Sequence, residues 1–222
     1  MKYIDFHTHH ASINGEIVIR QDVQSWGIHP CNAPVARWQP PTSREQRQSS
    51  LWLCRGAKEE EPKAQPRLEG CIAIGECGLD HLCGVPARMQ ECLFLRHVAL
   101  SEDARMPLIV HCVRAYEEIM AIHRRLRPAQ PWMVHGFRGK PSVLNRLLDE
   151  GLYVSFGVLF NEESVRACPA ERLLVETDDR LVAVDTVYEA IASVRGIQTA
   201  DLAACMQRNY ARLYGNHNIC HE

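Results

Sequence analysis

The sequence lacks the features that mark membrane-spanning and secreted proteins. None of its apolar runs approaches the roughly 20 residues that a helix needs to cross a bilayer. Its first ten residues, MKYIDFHTHH, place acidic residues and histidines where a signal peptide would have its apolar segment. We therefore expect a cytoplasmic protein that makes no contact with a membrane.

Paired cysteine motifs and an excess of positive charge are also missing. The ten cysteines of the 222 residues never form a C-x-x-C pair, which argues against a zinc ribbon or a thioredoxin-like redox motif. We expect mostly reduced thiols that pack as small apolar groups. The 25 Lys and Arg are balanced by 27 Asp and Glu, so no large basic surface for nucleic acid is predicted, although a local patch stays open.

What the sequence does contain is an alternation of short apolar runs and helical patterns. Runs that are apolar at nearly consecutive positions are typical of strands buried on both faces of a parallel sheet. Eight strands are predicted, at Tyr3–Phe6, Glu16–Ile19, Trp26–Ile28, Cys71–Ile74, Leu108–Val110, Trp132–Val134, Leu152–Phe156 and Leu173–Val175. Five helices are predicted, at Pro86–Arg105, Ala115–Leu126, Pro141–Glu150, Thr186–Val194 and Asp201–Tyr214.

This order predicts an α/β protein with a TIM-like (β/α) barrel, and we expect residues 1–222 to form a single domain. The first third is too short for a regular barrel, because only positions 7–15 and 20–25 separate the first three strands. A parallel crossover needs a dozen or more residues. Either the first helices are missing or Glu16–Ile19 pairs antiparallel, so the barrel is predicted to be distorted or incomplete there. The proline-rich stretch Ala33–Leu68 is predicted to be a surface loop with one candidate helix, Ser43–Cys54.

Polar residues that bind metals stand at the ends of the predicted strands. His7 and His9 form an H-x-H pair, and residues two apart in a strand point to the same side. Later strand ends carry Glu76, His111, His135 and Asp178. Because the carboxyl ends of barrel strands meet at one mouth, these nitrogen and oxygen ligands predict a site for one or two divalent ions. Zn, Mn, Ni or Fe suits such ligands, and Mg suits them less well.

Each of these residues also has a structural explanation. A single His after an apolar run is more often a hydrogen-bonded structural residue, and an Asp at a strand end can cap the next helix. Five strand ends that each offer His, Glu or Asp are hard to obtain by chance, however. Since burying these groups without a metal or a partner costs free energy, the metal site is the favoured interpretation.

Several motifs in order resemble those of one family. The segments IDFHTH, GIHP, IGECGLD, VHC, VHGFRG and VETDD, together with the closing residues 209–215, NYARLYG, resemble the TatD-family metal-dependent hydrolases, often called TatD-type deoxyribonucleases. The resemblance covers residues from about 3 to 215. It implies a barrel of the metallo-dependent hydrolase type that hydrolyses phosphodiesters, often as a 3'-5' exonuclease on DNA.

The resemblance also implies how the ligands are shared between two ions. His7, His9 and Asp178 would hold the first ion. His111 and His135 would hold the second, and Glu76 would bridge the two.

The sequence departs from the family pattern near the site. The stretch between H-x-H and GIHP is short, and Asp179 and Arg180 follow Asp178, where the family usually has a proline two residues on. The basic residue Arg114 stands three positions after His111, further than in many members. These departures keep the predicted metal ligands and bear on the substrate.

Roles in catalysis follow from these positions. We expect a metal-activated water to attack the substrate, Asp178 to orient that water and accept its proton, and Glu76 to be the second catalytic residue. Arg114 and Arg138 are predicted to bind substrate, because a guanidinium fork suits phosphate oxygens. His29, in GIHP, is predicted to contact substrate or to make a structural hydrogen bond. Asp80 is a candidate to hydrogen-bond a ligand histidine.

The sequence therefore favours a hydrolase of phosphodiesters, with a small molecule or nucleic acid as substrate and DNA ends as one candidate. One alternative is a metallohydrolase of an ester or amide bond in a small metabolite. Another is a catalytically silent metal-binding protein, which the complete set of six ligands argues against. The oligomeric state is not predicted.

Overall fold

The computed structural model describes residues 2–33 and 68–215, so the candidate helix Ser43–Cys54 lies outside the described residues. Eight strands are present: β1 Ile4–Thr8, β2 Ile17–Arg20, β3 Ser25–Trp26, β4 Ala73–Asp80, β5 Leu108–Val113, β6 Trp132–Val134, β7 Tyr153–Phe156 and β8 Leu173–Val175. Six α-helices follow the later strands: α1 Ala87–Ala104, α2 Tyr116–Leu126, α3 Pro141–Asp149, α4 Glu162–Ala167, α5 Val184–Arg195 and α6 Thr199–Tyr214.

All strand pairs are parallel, and together they form a ring. Strands β3 to β8 make a six-stranded sheet in chain order, while β1 and β2 form a separate pair. Isolated bridges join the two sheets on both sides, between Gln21 and Ser25 and between Thr8 and Asp178. The predicted TIM-like barrel is confirmed, and its two ends meet where β1 approaches the end of β8.

The first third of the barrel is distorted, as expected. Strand β1 pairs parallel with β2, so the antiparallel alternative is wrong. Residues 9–16 connect these strands without a helix. The Glu16 carboxylate organises this connection, because it accepts hydrogen bonds from Ile13 N at 2.8 Å, Asn14 N at 2.7 Å and the Ser12 hydroxyl at 3.0 Å.

The core explains why the strands form where they do. Every residue of β1, β4, β6 and β8 is buried, so these strands are covered on both faces. Large side chains such as Phe6, Phe94 and Trp132 lose essentially all contact with water. Burial of this apolar surface is the main source of stability. None of the described helices has both the length and the apolarity of a membrane span.

Two differences from the predicted elements affect the site. Strand β4 runs to Asp80 and β5 to Val113, well past their apolar runs, because their backbones stay paired through Gly78–His111 and Asp80–Val113. Glu76 and His111 therefore lie within strands rather than after them.

Helix α4 was not predicted. Its six residues are too few for a periodic pattern, and its start is fixed by the Asn161 side chain, which accepts from Ser164 N at 2.9 Å.

Candidate metal centre

Two of the predicted ligands, His7 and His9, face one oxygen of Glu76, and Asp178 lies beside both of these histidines. Glu76 Oε2 lies 3.5 Å from His7 Nε2 and 3.4 Å from His9 Nε2. Asp178 Oδ1 lies 3.8 Å from His7 Nε2 and 3.7 Å from His9 Nε2. The backbone holds these residues together, since Asp178 N donates to His7 O at 3.0 Å and His9 N donates to Asp178 O at 3.1 Å. Atoms bound about 2.0–2.2 Å from one zinc ion are separated by distances of this order.

The other oxygen of Glu76 faces the remaining predicted ligands. Glu76 Oε1 lies 2.7 Å from His111 Nδ1 and 2.9 Å from His135 Nε2. These two ring nitrogens are 3.2 Å apart. One carboxylate thus stands between two groups of nitrogen and oxygen donors, the position that a bridging ligand occupies. All six side chains predicted as metal ligands come together.

His29 lies closer to this centre than the sequence indicated. Its Nε2 is 3.4 Å from Glu76 Oε1, and its ring centroid is 4.2 Å from that of His111. His29, Glu76 and His111 together form one of the groups whose atoms could hold an ion. A role for His29 in contacting substrate stays a prediction.

Asp80 makes the hydrogen bond expected of it. Its Oδ2 lies 3.2 Å from His111 Nε2, so the ring of His111 presents Nδ1 to Glu76. The Asp80 carboxylate is itself fixed by Leu82 N, which donates to Oδ1 at 2.7 Å. The Asp80 backbone is fixed by Gln90, whose Oε1 accepts from Asp80 N at 2.7 Å. Such outer contacts set the orientation of a metal-binding ring.

Two buried carboxylates at the site were not singled out from the sequence. Glu176 Oε1 accepts from Gly136 N at 2.5 Å and lies 3.7 Å from His135 Nδ1, on the side of that ring away from Glu76. Asp5 links β1 to the end of β8, because its two oxygens accept from Thr177 N at 3.1 Å and the Thr177 hydroxyl at 2.6 Å. The feature of the sequence that could have indicated these two residues is an acidic residue inside or directly after an apolar run.

The histidines keep Glu76 ionised despite its burial. Burial acts to raise the pKa of Glu76. The charge of His135 and hydrogen bonds from His111 and His135 outweigh it and hold that pKa well below its ordinary value. Burial acts to lower the pKa of His135, but the nearby Glu76 and Glu176 raise it well above the usual value for histidine. Burial raises the pKa of Asp5 to about 8.

The residues present fit divalent metal ions. Within the described part of the chain, the buried atoms His7 Nδ1, His7 Nε2 and His135 Nδ1 have no hydrogen-bond partner. A buried polar atom without a partner costs about 1–3 kcal/mol. A cation bound at His7 Nε2 removes part of this cost. Imidazole and carboxylate donors suit Zn, Mn, Ni or Fe.

The predicted substrate-binding arginines both lie exposed on loops at the mouth of the barrel. Arg138, after β6, lines a pocket that also contains the proposed ligand Asp178. The residues that line it are Gly136, Arg138, Gly157, Val158, Leu159, Glu176, Thr177, Asp178, Asp179 and Arg180. Arg114, after β5, is outside this lining. Arg180, which the sequence singled out only as a departure from the family, shares the pocket with Arg138.

Comparison with known proteins agrees with this geometry. A family model described as TatD related DNase matches residues 19–215. The uncharacterized metal-dependent hydrolase YcfH of Escherichia coli K12 is 30% identical over 168 residues, covering 66% of this chain and 63% of that protein. The 3'-5' ssDNA/RNA exonuclease TatD of Klebsiella pneumoniae is 29% identical over 177 residues, covering 65% of each chain. The chain thus spans less than two thirds of the length of these relatives.

A solved structure supports the fold. YjjV, a TatD homolog from Escherichia coli K12, superposes with a TM-score of 0.72 over 96% of this chain and 97% of its own, at 17% sequence identity. The family match extends over most of the described residues and includes all but the first two predicted ligands. The chain belongs to the TatD-related DNase family of metal-dependent hydrolases.

Proposed function

We propose that the protein hydrolyses phosphodiester bonds, with the 3' ends of single-stranded nucleic acid as its substrate. The observation that carries the proposal is the placement of Glu76 between two donor groups, with Oε2 facing His7 and His9 and Oε1 facing His111 and His135. His7, His9 and Asp178 on one side of Glu76, and His111 and His135 on the other, would hold divalent ions that stabilise the negative charge developing on the oxygens at phosphorus.

A divalent ion held at the site would supply Lewis acidity and would lower the pKa of a bound water toward neutrality. The protein's own part is to position that water and take up its proton. Asp178 is suited to this role, because its side chain is 23% exposed at the mouth, whereas that of Glu76 is only 6% exposed. A carboxylate oxygen of Asp178 accepts the proton of the water, and Glu76 keeps the two donor groups at a fixed separation.

Arg138 and Arg180 complete the proposed substrate site. Both line the pocket that contains Asp178, so their guanidinium groups can donate to the non-bridging oxygens of a phosphate held there. Arg114 is exposed on the next loop and extends the positive charge at the mouth. The name of the Klebsiella relative, a 3'-5' ssDNA/RNA exonuclease, supports nucleic acid as the substrate class.

The test is a comparison of substrates with chelated and metal-loaded protein. We expect loaded protein to hydrolyse bis(p-nitrophenyl) phosphate and to shorten 5'-labelled single-stranded DNA from its 3' end, with both activities lost on chelation and restored by Zn²⁺ or Mn²⁺. p-Nitrophenyl acetate serves as the control ester. Hydrolysis of the ester alone would favour an esterase, and metal binding without turnover of any substrate would favour a silent metal-binding protein. Either result contradicts the proposal.

A further inference from the structure

Beside the metal centre lies a second cluster of metal-binding side chains with a different chemistry. His29, Cys31 and Asp80 each present one donor atom, and these three atoms lie within 4.8 Å of one another. The thiol of Cys31 is 3.6 Å from Asp80 Oδ2. The six ligands of the main centre are histidines and carboxylates, whereas this cluster adds sulfur.

The backbone holds the three residues in place. His29 and Cys31 belong to one short 3-10 turn, Pro30–Asn32 with His29 as its cap, and His29 Nδ1 accepts from Cys31 N at 3.2 Å. A cation bound to His29 needs the lone pair that this hydrogen bond occupies, so ion binding would replace the bond. Asp80 ends strand β4 and is fixed by Leu82 N and Gln90. Two of the donors therefore lie on one turn and the third lies at the end of a strand.

Sulfur, imidazole nitrogen and carboxylate oxygen form a donor set typical of zinc. Thiolate selects soft or borderline cations, and three protein ligands leave one position of a tetrahedral ion for water or another ligand. We propose that His29, Cys31 and Asp80 form a thiolate-containing site that binds a thiophilic divalent cation, Zn²⁺ or Cd²⁺, next to the His–Glu centre.

A cation bound at this site would affect the main centre through Asp80. The same oxygen, Oδ2, that faces Cys31 also bonds His111 Nε2 at 3.2 Å. A cation at Oδ2 therefore competes with His111 for the carboxylate. Binding also requires the Cys31 thiol to lose its proton, so ion uptake releases acid.

The experiment uses Cd²⁺ as the probe, because Cd²⁺ bound to thiolate gives an ultraviolet charge-transfer band that histidine and carboxylate ligands do not give. Chelator-treated full-length protein is titrated with Cd²⁺, in a background where Cys54 and Cys220, both outside the described residues, are replaced by serine. We expect the band to appear in this background and to disappear in Cys31→Ser, which should bind one Cd²⁺ fewer at the same free concentration.

Matched variants separate the site from other thiols. Cys71→Ser, which removes another partly buried thiol, should keep the band. Cys83→Ser should also keep it, although the Cys83 thiol neighbours that of Cys31 and donates to Asp80 O at 3.4 Å. Cys31→His should restore the bound ion without the band, which shows that the fold survives substitution there.

The outcomes that overturn the proposal are equally specific. A background protein without the band, a band that persists in Cys31→Ser, or a band lost only in Cys83→Ser each contradicts it. The readout is independent of hydrolysis, so failure of the proposed phosphodiesterase activity leaves this result unaffected.

Discussion

At the scale of single residues, the site depends on side chains whose burial or backbone conformation costs free energy. Glu76 is buried among five histidines, and its pKa stays well below the ordinary value. Asp178 adopts a φ of 57°, in the left-handed region that residues other than glycine rarely occupy. Such backbone strain is typical of functional positions. The bridge between Thr8 and Asp178 and the hydrogen bonds to His7 and His9 hold this conformation.

The role of Asp178 is tested by Asp178→Asn. The amide keeps an oxygen that can contact a metal ion but cannot accept a proton, so we expect kcat on a phosphodiester to fall by about 10²–10⁴-fold while much of the bound metal remains. Steady-state kinetics and metal analysis measure the two effects. Asp149→Asn, at an exposed residue of helix α3 that does not line the pocket, should stay near wild type. Near-normal turnover of Asp178→Asn would reject the role.

We expect Glu176 to orient the ring of His135. Its carboxylate lies 3.7 Å from His135 Nδ1 and does not touch the donor side of the ring. We expect Glu176→Gln to weaken metal binding by about 10–100-fold, because the ring loses the negative charge that orients it. Isothermal titration with Zn²⁺ measures this, with the exposed Glu189→Gln as control. Unchanged affinity in Glu176→Gln would show that the contact has no such function.

His97 couples the stability of the protein to pH. Its Nδ1–H donates to Leu93 O at 2.8 Å, and its Nε2 accepts from Ile28 N at 3.0 Å, next to His29. Burial lowers the pKa of His97 below the ordinary 6.5, an effect that the nearby Arg96 reinforces. Below pH 6.5 the unfolded chain therefore binds a proton that folded His97 resists. The contribution of His97 to stability is present above pH 6.5 and is lost as the pH falls.

Urea unfolding of wild type and His97→Gln measures this contribution. The free energy of unfolding of wild type should exceed that of the variant most at about pH 8, and the difference should shrink toward about pH 5. A difference that is constant with pH, or that grows as the pH falls, contradicts the account. The pH-independent part of the difference reports the two lost hydrogen bonds.

At the scale of elements, strand β4 contributes the central residues of the candidate metal centre. It carries Glu76 inside the barrel and ends at Asp80, and all eight of its residues are buried. Its close approach to β5 requires glycine. Gly78 pairs with His111 at a φ of 147°, and a Cβ there would lie 2.0 Å from His111 O.

Gly78→Ala should therefore disturb both the strand and the ligand beside it. The added methyl meets backbone that cannot move without shifting His111, so we expect a loss of about 3 kcal/mol in the free energy of unfolding, together with weaker metal binding. Gly151→Ala is the matched control, since Gly151 also has a positive φ but no atom within 4 Å of its Cβ. It should cost only about 1–2 kcal/mol and leave metal binding unchanged. Equal effects of both substitutions would contradict this explanation.

The sequence predicts most elements because their signals are local. The apolar runs locate all eight strands, and β6 and β8 have the predicted bounds. The extension of β4 to Asp80 could not be predicted, because it depends on pairing with β5, about thirty residues further along the chain. The glycines of IGECGLD were a signal for that close contact.

The same distinction between local signals and contacts with distant residues applies to the site. The six proposed ligands are predictable, since each stands at or near the end of an apolar run. The places of Asp5 and Glu176 are not, because they depend on partners remote in sequence. Asp5 bonds Thr177 across 172 residues.

At the scale of the whole molecule, closure of the barrel creates the centre. The first and last strands meet through Thr8 and Asp178, which joins the H-x-H pair of β1 to the acid after β8. This closure holds even though the connection from β1 to β2 has no helix. The missing helix between β1 and β2 therefore leaves the proposed ligands together and changes the surroundings of the mouth, where substrate would bind.

The measurement that tests the central claim most directly is anomalous diffraction from crystals grown with Mn²⁺ or Zn²⁺. We expect two anomalous peaks on either side of the Glu76 carboxylate, one bounded by His7, His9 and Asp178 and the other by His111 and His135. A map with no peak in contact with Glu76 would contradict the account.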